Sequence, residues 1–81
     1  MAAIDKLIER FKRRPADFTW VELTRLLAHC GYAAKKGKGS RRKFKADGLP
    51  TLSLHEPHPS KIVKHYVLRE VGEILESEGL I

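Results

Sequence analysis

The chain predicts an α+β fold: a small three-stranded antiparallel sheet with helices packed on one face, in the order α-α-β-β-β-α. Apolar residues recur at helical spacing as far as Gly31, alternate from Tyr32 to His55, and return to helical spacing after the proline-rich stretch 56–59. Two turn signals, Gly37-Lys38-Gly39 and Asp47-Gly48, cut the alternating stretch into three strands joined as hairpins. The 81 residues suit one small domain, 1–81, which buries roughly 60% of its unfolded surface and has no room for a separate substrate domain.

Ile4, Leu7, Ile8 and Phe11 place one face of a helix over about 3–14, stopped by Pro15. Lys6, Arg10, Lys12, Arg13 and Arg14 fill its polar remainder, a solvated face whose cations suit the negative helix end. The second helix has a complete start signal. Thr19 and Glu22 stand at the two positions of a capping box, and Phe18 and Leu23 at those of a hydrophobic staple. Trp20 opens the helix as a core side chain, and Val21, Leu23, Leu26 and Leu27 form the expected buried stripe. Gly31 ends it in the left-handed region, with Tyr32 placed to pack back on Leu27.

Tyr32–Lys36 reads as the first strand, Ser40–Ala46 as the second and Leu49–His55 as the third. In the second, Ser40, Arg42, Phe44 and Ala46 point one way and Arg41, Lys43 and Lys45 the other, so Phe44 marks the core side and the cations the open side. If Leu52 and Leu54 join Phe44, His55 shares the open face. Beyond His55-Glu56-Pro57-His58-Pro59, Ser60 is the expected N-cap of a last helix. Its stripe would run Ile62, Val63, Tyr66, Val67, Val71, Ile74 and Leu75, with Gly79 closing it and Leu80 touching Leu75.

The net charge is +6, and residues 31–47, with seven bases and only Asp47 as acid, carry an excess of the same size. The positive charge is therefore a patch, the electrostatic footprint of a nucleic-acid partner. Lys35, Lys36, Lys38, Ser40, Arg42, Lys43 and Lys45 are its candidate RNA contacts, although edge-strand lysines also serve against aggregation. Lys61 and Lys64 fall in the expected first turn of the last helix, against dipole preference, as tolerated surface lysines or as part of an anion site.

Cys30 is alone, which excludes an intrachain disulfide and a multi-cysteine zinc site. No metal or cofactor is expected; P-loop, Rossmann and Ser-His-Asp patterns are all missing. No apolar run approaches the ~18 residues of a membrane span and no signal-peptide core is visible, so no membrane association and a cytoplasmic location are the expectations. His55 and His58 are the candidate acid and base, because imidazole titrates near neutrality.

The order and spacing of several segments carry a resemblance. They are Phe18-Thr19-Trp20, Leu26-Leu27 through Gly31-Tyr32, Lys38-Gly39-Ser40 leading to Phe44, Leu54 to Pro59 with its His-Pro, and Glu78-Gly79-Leu80. Over nearly all of 18–81 the chain resembles the HicA family of toxin-antitoxin systems. The resemblance implies a double-stranded-RNA-binding-like fold, an mRNA-cleaving toxin and an antitoxin partner of the HicB type. That family typically places a catalytic histidine directly after the Gly-Ser, where this chain has Arg41, which stays protonated and cannot act as a base. Arg41 would then stabilise a phosphorane while His55 or His58 moves the proton. The alternative is a non-catalytic RNA-binding module or inactive toxin variant.

Overall fold

In the computed structural model, which describes residues 3–81, the order is α1 (Ala3–Lys12), α2 (Trp20–His29), β1 (Ala33–Lys36), β2 (Arg41–Lys45), β3 (Leu52–His55) and α3 (His65–Ser77). The strands form one antiparallel sheet in the order β1-β2-β3. This is the α+β arrangement expected. Phe44, Leu52 and Leu54 of the sheet and Phe11, Leu23, Leu26, Leu27, Leu68, Val71 and Leu75 of the helices belong to one buried cluster, so the helices cover one sheet face.

The capping box forms as the sequence predicts, with the Glu22 N–H donating to Thr19 Oγ1 (3.2 Å) and the Thr19 N–H to Glu22 Oε1 (2.9 Å). Trp20 is buried and meets the Phe44 ring edge-on at 5.9 Å. It takes the place in the stripe expected of Val21, which is 60% exposed. The buried set is Trp20, Leu23, Leu26 and Leu27. Gly31, at φ +100°, reverses the chain, and the Tyr32 N–H closes onto the Leu27 carbonyl at 2.9 Å. That bond takes Tyr32 out of β1, and its hydroxyl donates instead to the Pro50 carbonyl (2.9 Å). The end of α3 repeats the device, with Gly79 at φ +72° and the Leu80 N–H on the Leu75 carbonyl.

Several boundaries differ from expectation. The first helix ends at Lys12, because Arg14 adopts φ +51° before Pro15. Ser40 belongs to the β1–β2 turn, and Leu49–Thr51 to the loop after Gly48, so β2 and β3 are shorter than read. The last helix starts at His65, with Lys64 as N-cap, and Ser60 accepts from the Ile62 N–H outside it. Residues 61–63 are extended: Ile62 bridges Thr19, the Trp20 N–H donates to the Lys61 carbonyl and the Val63 N–H to the Phe18 carbonyl, both at 2.8 Å. Val63 is buried by this bridge, while Ile62 and Tyr66 are exposed; the buried face of α3 is Leu68, Val71, Gly72 and Leu75.

Candidate nucleic-acid interface

Strand register fixes which cations share a face, because residues directly opposite in a ladder point to the same side. Lys35, Lys43 and Ser53 form one cross-strand row, Ala33 and Lys45 a second, and Arg41 with His55 a third. All are exposed, and they lie opposite the face on which Ala34, Phe44 and Leu52 form a row over the helices. Lys38 extends this surface in the turn. Among the described residues, none of Lys35, Lys36, Lys38, Arg41, Lys43, Lys45 and Lys64 has an acidic ion-pair partner.

The remaining candidates are placed differently. Arg42 shares its row with Lys36 and Leu54 on the core side. Its guanidinium donates to the Gly39 and Arg41 carbonyls (2.9 Å each) and pairs with Glu56 at 3.3 Å. Glu56 also takes Lys61 at 3.2 Å. Glu56 thus links the β1–β2 turn to the segment entering the Thr19 bridge, and partly neutralises two cations of the patch. Lys61 lies outside α3, and Lys64 precedes its first turn, where no acid and no side-chain cap occur.

Arg41 and His55 are Cα partners at the end of the sheet. Gly37 makes room for the arginine: a Cβ there would come within 3.4 Å of Arg41 Cβ and 3.1 Å of its carbonyl oxygen. Ser40 Oγ lies 3.4 Å from His55 Nδ1, and the Glu56 N–H donates to the Ser40 carbonyl at 2.8 Å, tying the turn to the end of β3. His58 is exposed, and its bond to Pro59 is cis. Two clefts meet at Glu56 and His58. One, of 280 Å³, is bordered by Gly39, Ser40, Arg42 and Lys61; the other, of 310 Å³, also takes in His55 and runs toward Lys64 and the first turn of α3. The structure therefore brings Arg41, Ser40, His55, His58, Lys61 and Lys64 to one end of the sheet; Lys36 is at the same end but on the core side, while Lys35 and Lys45 lie farther along.

Two residues of the site were missed in the sequence. Glu56 has no role in the sequence reading, where it is one residue of the proline-rich stretch, although it is the one acid among the candidate cations of that segment. Tyr66 was counted into the core stripe, yet lines the larger cleft with half its surface in water; a helix starting at His65 would have put it off the stripe. Cys30 stands away from this surface, and burial pushes its thiol pKa up. Among the described residues, no three His, Cys, Asp or Glu side chains converge as a metal site, and no helix is long and apolar enough to cross a membrane.

Nothing among the curated proteins and nothing among the solved structures matches the chain. Residues 20–78 match the family described as HicA toxin of bacterial toxin-antitoxin, a span that begins at the first residue of α2, includes the whole cationic sheet and His55 to Lys64, and ends just past α3. With most of its length and every candidate residue inside that span, the chain belongs to the HicA toxin family and is the toxin member of a toxin-antitoxin pair.

Proposed function

We propose that this toxin is a metal-independent endoribonuclease that cleaves mRNA, working on the open sheet face and held in check by an antitoxin of the HicB type. The observation that carries the reading is the cross-strand pairing of Arg41 with His55 at the end of a row of cations without acidic partners. A phosphate lying on this face would meet a permanent guanidinium charge and an imidazole side by side.

In the proposed reaction a ribose 2′-oxygen attacks the adjacent phosphorus as its proton passes to a base. The O2′–P bond forms, the P–O5′ bond breaks, and a proton is delivered to the departing 5′-oxygen, leaving a 2′,3′-cyclic phosphate and a 5′-hydroxyl. His55 or His58 moves the proton. Arg41 offers several N–H donors to the oxygens on which charge builds in the phosphorane. Lys35, Lys38, Lys43 and Lys45 hold flanking phosphates, Lys36 and Lys64 contribute at the two edges, and Ser40 orients His55. Arg42 and Lys61, sharing Glu56, hold the site's shape and contribute less charge.

A second reading, an RNA-binding module without chemistry, is favoured by one feature: the residue after Gly39-Ser40 is an arginine. Incubating the purified protein with a transcript and analysing the ends separates the two. Cleavage to cyclic-phosphate ends, slowed by about 10²–10⁴-fold in His55→Ala or His58→Ala with RNA affinity retained, supports the nuclease. Binding without cleavage by the unmodified protein would leave the binding module.

A further inference from the structure

The cleft between the His55–Ser60 segment and the first turn of α3 has a wall unlike the rest of the interface. Tyr66 is 52% exposed and Ile62 37%, and both line it together with Pro57 and Val67. Its rim carries Lys64, His55, His58 and Glu56, whose carboxylate is taken up by Arg42 and Lys61. An exposed aromatic ring with Ile62, Pro57 and Val67 in a recess of 310 Å³, whose one carboxylate is already ion-paired, suits a flat group with apolar faces carried on a polyanion. An unpaired nucleobase has that chemistry. A paired base does not reach such a recess, because both its faces are stacked inside a duplex.

We propose that this cleft is a base-binding subsite for single-stranded RNA, in which a nucleobase next to the phosphate at Arg41 and His55 stacks on the Tyr66 ring. The inference rests on the RNA reading above and adds the strandedness of the substrate. Its continuity with that site is direct, since His55 belongs both to the sheet row with Arg41 and to the cleft wall. Stacking accepts any base, so the subsite selects for unpaired RNA and only weakly for sequence. Tyr66 is here a positioning residue, fixing the chain on one side of the reacting phosphate.

The test is equilibrium binding of a fully 2′-O-methylated oligonucleotide, which has no 2′-hydroxyl to attack and so is not cleaved, as a single strand and annealed to its complement. Tyr66→Ala should lose about tenfold in affinity for the single strand and nothing for the duplex, with an unchanged salt dependence, whereas Tyr66→Phe keeps the affinity. A 2-aminopurine placed in the strand should lose fluorescence on binding the unmodified protein and keep it with Tyr66→Ala. Equal single-strand affinity in Tyr66→Ala, or an equal loss on both forms, would overturn the subsite while leaving the RNA reading standing. A Tyr66→Ala protein that binds RNA normally but no longer holds its antitoxin would give the cleft to a protein side chain instead. If the unmodified protein binds neither form, the RNA reading and the subsite fall together.

Discussion

Glu22 closes the capping box of α2 and, through Oε2, accepts from Arg10 Nε of α1 at 3.0 Å, so one carboxylate joins two helices. The hydrogen bond from Arg10 holds its pKa below the ordinary carboxylate value, helped by those from Thr19 and opposed by partial burial. A carboxylate whose folded pKa is depressed stabilises the fold fully above its unfolded pKa of about 4.3, and that contribution is lost as pH falls through the folded value. Glu22→Gln keeps an oxygen for the cap but loses the ion pair. The unfolding free energy from urea titration should therefore fall in this variant at pH 7, by about 0.5–1 kcal/mol, and the gap to the unmodified protein should close as the carboxylate is protonated at low pH. A gap that stays constant down to pH 3 would remove the ion pair from the account. The cap was legible because its partners are three residues apart; Arg10 was not, because only tertiary packing brings α1 beside Glu22. Tyr66 was misread for the same reason: its exposure depends on where α3 begins.

Among the elements, α1 stands outside the family match yet inside the core. Phe11 is fully buried and meets the equally buried Phe18 edge-on at 5.5 Å. Arg14 lies over the Phe11 ring at 5.0 Å, against Gly72 of α3, and reaches Glu76 at 3.6 Å. Phe11→Ala should cost about 3–5 kcal/mol, a large share of the total stability of a domain this small. Chemical denaturation would read this directly, and a loss under 1 kcal/mol would make α1 an appendage. The existence of α1 and α2 followed from apolar spacing, and both glycine-terminated helix ends followed from local chemistry. The start of α3 did not follow. Ile62-Val63 suits either periodicity, and the choice was made by hydrogen bonds to Phe18 and Trp20, which no local window contains.

For the whole molecule, the patch was visible in the sequence because its seven bases all fall between Lys35 and Lys45 with no acid among them, but the direction of each was only partly so. Strand alternation put Arg41, Lys43 and Lys45 on one face, as found; the neutralisation of Arg42 and Lys61 by Glu56 depends on a turn and an edge that meet only in the fold. Replacing Lys38, Arg41 and Lys43 together by Ala should weaken RNA binding regardless of sequence. The slope of log affinity against log salt should flatten by about 2, at about 0.7 per single-strand phosphate contact. An unchanged slope would place the RNA elsewhere. The same face has a cost in stability. Lys35 stands directly opposite Lys43, and like charges opposed across a ladder weaken it. Lys35→Glu should raise the melting temperature, by about 0.2–1 kcal/mol of added stability, while lowering RNA affinity. If melting is unchanged, the pair is too well solvated to matter. If it rises while RNA affinity and growth arrest fall, robustness and toxicity are opposed at this position, and a screen that rewards heat resistance alone would enrich for disarmed toxins.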